Sequence, residues 1–287
     1  MDLVWRAEQG AAEDNVPGFT VPLPHRGRGN EPGQPDQTEP RPQQPRSRGR
    51  RYLRRAAITL ASLIAVFAIG VATLLLATPS ATDATKLAAQ QAAQHGIAYP
   101  GPPVPANFAR PLVATEDHRF YSEPGVDVLA VGRVVEGKIT GSQDQGGATI
   151  EQQLAKLLYT PDQTGVAAEL KQVALAVKLN YTYSKAEILR LYAEVAYYGH
   201  GYYGLEAASC GYFGRPASQL TVVQGAMLAG VVNAPSVDDP VSHPVNAHTR
   251  LAHVVARMVA VGDLTPAQGA TVVHTSLGIV PRDQAGC

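Results

Sequence analysis

The sequence predicts a mainly α-helical fold that is preceded by one transmembrane helix. Three observations lead to this prediction: an uncharged apolar run, apolar residues that recur at helical spacing, and four helix-capping motifs. Alternating apolar and polar residues, the pattern of half-buried strands, are scarce, so we expect little β-structure. A chain of 287 residues is long enough for one sizeable domain with appendages.

The apolar run covers residues 56–78, which carry no charged side chain. Roughly 20 residues are enough for a helix to cross the hydrocarbon core of a bilayer. Six arginines lie between Arg46 and Arg55, and they predict a cytoplasmic N-terminus and an extracytoplasmic domain. The alternative is a cleaved signal peptide, whose apolar region would be about 7–15 residues long and nearer the start of the chain. The length and position of the run favour a membrane anchor.

The remaining segments differ in composition. Residues 1–55 are rich in Pro, Gln, Gly and Arg, which predicts a disordered cytoplasmic tail. Residues 79–106 contain a cluster of prolines and are expected to form a juxtamembrane stalk, followed by the folded domain over residues 107–280. Because the formal net charge is zero and the arginines adjoin the apolar run, we expect no nucleic-acid partner.

Both cysteines, Cys210 and Cys287, fall on the predicted extracytoplasmic side, where a disulfide could form. We favour the alternative, a small buried Cys210 and an unpaired Cys287 in a disordered terminus. Neither cysteine has the spacing of a metal ligand, and the sequence predicts no metal site.

Within the domain, capping boxes mark where helices begin. Each has Thr or Ser followed three residues later by Gln or Glu, which predicts reciprocal hydrogen bonds around the first helical turn. The four boxes are Thr149–Gln152, Ser184–Glu187, Thr221–Gln224 and Thr265–Gln268. Apolar residues at helical spacing accompany this pattern, for example Ile188, Leu189, Tyr192 and Val195.

The first candidate for chemistry is the pair Glu116 and Asp117, which lies between apolar residues 112–114 and the aromatic Phe120 and Tyr121. A half-desolvated carboxylate in this setting can act as a general base. The alternative is a solvated acidic pair in the first turn of a helix, where the helix dipole favours negative charge.

The second candidate is the Gly146–Gly147 turn and the helix that follows it. The N–H groups at a helix N-terminus can bind an anion. Gln153 and Lys156 are three residues apart on one helix face and could together hold a phosphate or sugar oxygen. The alternative is an ordinary capped helix whose polar residues face solvent. A third segment, residues 198–208, alternates tyrosines with glycines and is either a binding loop or a helix connection.

Taken in order, these segments resemble the peptidoglycan glycosyltransferase domain of family 51, found in class A penicillin-binding proteins and monofunctional transglycosylases. The family pattern ED-x-x-F-x-x-H-x-G matches at Glu116, Asp117, Phe120 and Gly125. The pattern GGSTITQQ matches at Gly146, Gly147, Thr149, Gln152 and Gln153, with Lys156 following. The patterns SK-x-EIL-x-x-Y and LAG-x-x-x-APS match at residues 184–192 and 228–236.

The resemblance implies a lysozyme-like helical lobe with a smaller membrane-facing jaw at residues 126–139. It also implies that Glu116 deprotonates the acceptor sugar while lipid II is polymerised into glycan strands at the outer face of the bilayer. Lys156 and Arg133 are candidates for the diphosphate, and a divalent cation such as Mg²⁺ is the cofactor that the resemblance suggests. The remaining candidates for substrate binding are Asp117, Phe120, Gly147, Thr149, Gln152, Gln153, Lys185 and Tyr192.

The chain departs from the family pattern at positions that carry chemistry. The third motif, R-K-x-x-E, falls on Ala168, Glu169 and Gln172, so the second catalytic position is Gln172. Glutamine can form hydrogen bonds but cannot carry the negative charge of a carboxylate. Glu169, Glu151 or Glu194 could compensate for the lost carboxylate.

Three further departures fall in the first two motifs, where Glu123 replaces a His, Ala148 replaces a Ser and Glu151 replaces a Thr. In addition, Arg190 and Glu194 replace the Glu and Asn of the ILE-x-YLN stretch.

The leading hypothesis is a membrane-anchored, monofunctional peptidoglycan glycosyltransferase, because the chain contains neither the S-x-x-K nor the K-T-G motif of a transpeptidase. Its expected partners are lipid II, nascent glycan strands, the bilayer and cell-wall or divisome proteins. The alternative is a catalytically impaired module that binds lipid II or serves as a cell-wall scaffold. Glycan cleavage on a lysozyme-like fold ranks last.

Overall fold

The computed structural model describes residues 47–127, 148–281, 283 and 286–287. The chain divides into two compact units, residues 1–55 and residues 56–287. Of the first unit, only the beginning of one helix is described. Part of the predicted jaw, residues 128–139, lies outside the described residues, as do the predicted site residues Arg133 and Gly147.

The described residues form α-helices and short 3₁₀ turns, with no strand beyond an isolated bridge between Tyr197 and Tyr203. This confirms the prediction of a mainly α fold. The α-helices are α1 (Ser47–Ala77), α2 (Ala84–Gln94), α3 (Ala106–Glu116), α4 (Ile150–Tyr159), α5 (Val166–Thr182), α6 (Lys185–Val195), α7 (Leu205–Phe213), α8 (Val222–Val231), α9 (Pro244–Ala260) and α10 (Pro266–His274).

Helix α1 contains the apolar run. It is long and apolar enough to cross a membrane, since the mean hydropathy of its most apolar stretch is 2.6 and none of that stretch is buried within the protein. Its large apolar side chains, including Ile64 and Phe67, are exposed.

The segment after α1 belongs to the domain and is not a free stalk, so the predicted boundary at residue 107 is wrong. Ala81, Ala84 and Ala88 are buried in the main hydrophobic core. The ammonium group of Lys178 on α5 donates to the carbonyl oxygen of Thr78 at 2.8 Å. The sequence concealed this packing because the buried face of α2 consists of alanines, which give little apolar periodicity and yet allow helices to approach closely.

All four predicted capping boxes are present, each with both of its reciprocal hydrogen bonds. They begin α4, α6, α8 and α10. Because each box satisfies amide groups that would otherwise lack partners, the start of each helix is set locally by the sequence.

The two cysteines form a disulfide, so the preferred prediction of unpaired thiols is wrong. Cys210 lies on α7 and Cys287 is the last residue, 77 positions later. Two backbone hydrogen bonds accompany it, from Val280 N–H to the Tyr212 carbonyl and from Gly286 N–H to the Cys210 carbonyl, both 2.9 Å. These bonds hold the end of the chain against α7, which sequence spacing could not reveal.

Helix α8 lies at the centre of the domain, with every residue from Val223 to Val231 buried. It packs against α3, α9 and α10. A Cβ atom at Gly225 would overlap the backbone of Asn107, so the close approach of α3 and α8 requires glycine at this position. This contact places the C-terminal end of α3, where Glu116 lies, beside α8 and α9.

We expect Gly225→Ala to lower the free energy of unfolding by about 1–3 kcal/mol, because the backbones of α3 and α8 must move apart to make room for the methyl group. For a domain of this size, the melting temperature should fall by about 3–10 °C. Gly70→Ala is the matched control, since nothing lies within 4 Å of a Cβ atom there. Equal melting temperatures for the two variants would contradict this account of the packing.

Candidate active site

Glu116 is the last residue of α3, and its carboxylate is held by three donors from elsewhere in the chain. Nη2 of Arg250 lies 2.7 Å from Oε1. Nε2 of Gln153 and Nδ2 of Asn233 each lie 3.1 Å from Oε2. The side chain is only 7% exposed, so it does not extend into bulk solvent.

The side-chain amide of Gln153 links Glu116 to a buried tyrosine. Its amide nitrogen donates to Glu116, and its amide oxygen accepts a hydrogen bond from the hydroxyl of Tyr192 at 2.8 Å. Tyr192 is buried on α6. Burial is the main cause that raises the pKa of its hydroxyl, and the negative charge of Glu116 raises it further. The hydroxyl therefore remains a proton donor and fixes which end of the Gln153 amide faces Glu116.

Arg250 reaches Glu116 across α8. Its Nε donates to the carbonyl oxygen of Gly230 at 3.2 Å, and its side chain is 19% exposed. A Cβ atom at Gly230 would lie 2.9 Å from Cγ of Arg250, so the absence of a side chain there makes room for the arginine.

Asp117 faces the opposite way from Glu116, into the interior. It follows the end of α3, and its Oδ2 accepts a hydrogen bond from the N–H of Ile150, the first residue of α4, at 3.1 Å. The sequence predicted that this helix N-terminus would bind a ligand anion, but in the structure one of its N–H groups bonds an internal carboxylate.

Two more buried acids, Glu123 and Glu151, lie next to Asp117. Burial, and then the charge of Glu123, raises the pKa of Asp117 to about 7. Burial likewise raises the pKa of Glu123 and of Glu151, although Lys185 opposes the rise in both. The ammonium group of Lys185 lies 2.6 Å from Oε1 of Glu151 and donates to the Glu123 carbonyl at 2.9 Å.

The sequence matches the family described as Transglycosylase over residues 83–259. This chain belongs to the transglycosylase family. It is 35% identical over 183 residues to penicillin-binding protein 1F of Bacillus subtilis, an alignment that covers 63% of this chain and 26% of that protein. It is 36% identical over 186 residues to penicillin-binding protein 1A of Mycobacterium tuberculosis, covering 63% and 22%.

A shorter relative is the putative transglycosylase H16_A0665 of Cupriavidus necator, 35% identical over 162 residues, which cover 56% of this chain and 70% of that protein. The chain spans about a quarter of the length of the penicillin-binding proteins that it matches. The similarity therefore concerns their transglycosylase domain, in agreement with the family 51 motifs.

Several residues predicted to bind substrate are interior residues of the transglycosylase domain. Phe120 is fully buried, and the Lys185 ammonium lies 4.5 Å from the centre of its ring. Thr149 is buried and donates to the Gly125 carbonyl at 2.9 Å, while Gln152 completes its capping box. The buried Phe120 and Thr149 help to position α4 and α6, whereas Gln152 and Lys185 are half-buried and stay predicted substrate contacts.

Lys156 was predicted to bind the diphosphate, and Gln172 occupies the second catalytic position of the motif. Neither is among the three donors to Glu116. Lys156 is exposed on α4. Gln172 lies on α5, where its amide nitrogen donates to Oγ1 of the buried Thr160 at 2.9 Å. Among the described residues, Gln172 forms no hydrogen bond with Glu116.

The proposed compensating carboxylates differ in their surroundings. Glu151 is paired with Lys185 in the interior. Glu169 is exposed. Glu194 accepts a hydrogen bond from the N–H of Gly101 at 2.6 Å. Among the described residues, none of the three is a hydrogen-bond partner of Glu116.

The tyrosine- and glycine-rich loop is largely a packed connection. Tyr198 and Tyr212 are buried, and the hydroxyl of Tyr212 donates to the Tyr198 carbonyl at 2.9 Å. The ring of Tyr203 stacks on His95 with 3.5 Å between ring centres. These contacts favour the reading of the loop as a connection between helices.

Sequence reasoning missed Arg250 and Asn233. Arg250 precedes Val254 and Met258 by four and eight positions, so a cation lies in register with the buried face of α9. That register was a usable signal, because a charge on an apolar helix face commonly has a specific partner. Asn233 lies in the LAG-x-x-x-APS segment, but at one of its unspecified positions.

We expect Tyr192→Phe to lower the free energy of unfolding by about 0.5–1.5 kcal/mol, because the Gln153 amide oxygen loses its donor. Thermal or urea unfolding measures the change. Tyr181→Phe, on an exposed tyrosine, is the control and should leave stability unchanged. The interpretation fails if both substitutions have the same effect.

Proposed function

We propose that this transglycosylase is a membrane-anchored, monofunctional peptidoglycan glycosyltransferase that polymerises lipid II, with Glu116 as the general base. The observation that carries the proposal is the carboxylate itself, which is shielded from bulk solvent and fixed by Arg250, Gln153 and Asn233. Membership of the transglycosylase family supports the reaction class.

The hydrogen bonds to Glu116 leave one lone-pair direction of its carboxylate free to accept a proton. An ionised carboxylate offers about four lone-pair directions. Three are used, two on Oε2 and one on Oε1. In the proposed step, the acceptor 4-hydroxyl gives its proton to the remaining direction on Oε1. Its oxygen then forms a bond to the anomeric carbon of the donor, and the bond to the lipid diphosphate breaks with inversion.

The departing diphosphate needs positive charge nearby. We propose Lys156, which is exposed one helical turn from Gln153, as one source. Arg133 stays a prediction from the sequence. The described groups that contact Glu116 present N–H donors, which do not ligate cations, so we propose that a divalent cation such as Mg²⁺ enters with the diphosphate of the substrate.

Membrane anchoring is proposed on the length, apolar composition and exposure of α1. The arginine cluster before the apolar run supports a cytoplasmic N-terminus and a catalytic domain at the outer face. That orientation would bring the domain to the surface at which lipid II is presented. Cell-wall or divisome proteins stay predicted partners.

We expect Glu116→Gln to reduce polymer formation from lipid II by about 10²–10⁴-fold, because an amide cannot accept the proton. The full chain in detergent, supplied with lipid II and Mg²⁺, is assayed by gel separation of the glycan products. Asp263→Asn, on an exposed aspartate, is the control and should retain activity. Equal activity of Glu116→Gln and the parent chain would exclude Glu116 as the base.

The second candidate is a lipid II-binding or scaffold module with impaired turnover. The observation that favours it concerns Gln172, which occupies the second catalytic position of family 51. There an amide stands in place of a carboxylate and donates to Thr160. Binding of lipid II without polymer would support this candidate. Release of sugar from finished peptidoglycan would instead indicate cleavage.

We expect Gln172→Glu to increase turnover, because it restores a carboxylate that the Thr160 hydroxyl can still reach as a donor. Initial rates of lipid II consumption measure the effect. Gln163→Glu adds the same charge at an exposed position and should not change the rate. If the two variants behave alike, the missing carboxylate does not limit turnover.

A further inference from the structure

Three carboxylates meet in the interior of the domain, next to the end of α3 and the start of α4. Asp117, Glu123 and Glu151 each contribute an oxygen, and these oxygens lie within 4.8 Å of one another. Asp117 is 7% exposed, Glu123 is 8% exposed and Glu151 is fully buried. Interior carboxylates are costly unless they are paired, hydrogen-bonded or coordinated to a metal.

Several of these oxygens have no hydrogen-bond partner among the described residues. They are both oxygens of Glu123 and Oε2 of Glu151. Oδ2 of Asp117 accepts from Ile150, and Oε1 of Glu151 accepts from Lys185. A protonated Asp117 carboxyl can donate to Glu123. The unpartnered oxygens are hard donors that face one another.

Among the described residues, the cluster combines three carboxylates with one ammonium group, that of Lys185. When all three acids are ionised, these four groups carry an excess of two negative charges. The nearby guanidinium of Arg119 is paired with Asp127. An excess of two matches the charge of one divalent cation or of two bound protons.

Two of the three acids depart from the family 51 patterns described above. Glu123 and Glu151 occupy the positions of a His and a Thr in those patterns, whereas Asp117 and Lys185 match them. The two glutamates are 28 residues apart in the sequence, and each brings an oxygen to the cluster.

We propose that Asp117, Glu123 and Glu151 bind one hard divalent cation. Ligand oxygens of one ion lie at most two metal–oxygen bonds apart, about 4.6–5.2 Å for Ca²⁺ and about 4.0–4.2 Å for Mg²⁺. The three oxygens, all within 4.8 Å of one another, are close enough to share one such ion. Lys185 contacts Oε1 of Glu151 and leaves Oε2 to the ion.

The bound ion would connect three elements beside the active site. Asp117 follows Glu116 directly, Glu123 lies in the segment after α3, and Glu151 lies in the first turn of α4. The ion would therefore fix the end of α3 against α4 without contacting substrate. This inference does not rest on the proposed function, because binding needs neither lipid II nor turnover.

The test measures bound metal in the full chain in detergent. The protein is treated with EDTA, exchanged into metal-free buffer, incubated with CaCl₂ and freed of unbound ion by gel filtration. Elemental analysis should then find one Ca²⁺ per chain. At about 100 times the dissociation constant, Ca²⁺ should raise the melting temperature by about 5–10 °C relative to EDTA.

The double variant Glu123→His/Glu151→Thr restores both family residues and should lose the bound Ca²⁺ and the thermal shift. Glu169→Gln is the control and should retain both. Glu123→Gln alone, which keeps the size of the side chain, provides a second variant if the double variant does not fold.

The proposal is overturned if the parent chain retains no Ca²⁺ after gel filtration, or if the double variant retains as much as the parent. A parent chain that is stabilised only by lowering the pH, with no response to Ca²⁺, would show that protons balance the cluster instead.

Discussion

The hydrogen bonds that Arg250, Gln153 and Asn233 donate to the Glu116 carboxylate are the constraint around which the active site is built. These donors are 134, 37 and 117 residues from Glu116 in the sequence. They come together because α3 packs against α8 and α9, and because Gln153 reaches Glu116 from α4. The packing depends on small residues, and Gly230 leaves the space through which Arg250 passes. The geometry of the proposed base is therefore a property of the whole helical domain.

Two consecutive acids, Glu116 and Asp117, have opposite surroundings. The backbone of Asp117 leaves the helical conformation, with φ −158° and ψ 73°, so the two side chains face different sides of α3. Glu116 meets three N–H donors and is 7% exposed, which suits the proposed general base. Asp117 meets the N-terminus of α4 and two other acids, and its pKa rises to about 7. Environment, and not residue type, separates their roles.

The departures from the family 51 motifs fall into two groups with different physical consequences. Glu123 and Glu151 add negative charge to an interior cluster, where the charge must be balanced by protons or by a cation. Gln172 removes a carboxylate and forms a neutral hydrogen bond to Thr160. The first group lies beside the end of α3, and the second lies on α5. They can be examined separately because the two groups share no hydrogen bond among the described residues.

The sequence by itself determined the mainly α fold, the starts of α4, α6, α8 and α10, and the candidacy of Glu116. Capping boxes and helical periodicity depend on residues a few positions apart, so local physics is enough to fix them. Only the tertiary structure decided that the alanine face of α2 is core, that Cys210 pairs with Cys287, and that Arg250 and Asn233 hold Glu116. Each of these depends on contacts between residues far apart in the chain. The side chains that make them carry no local signature until the helices have packed.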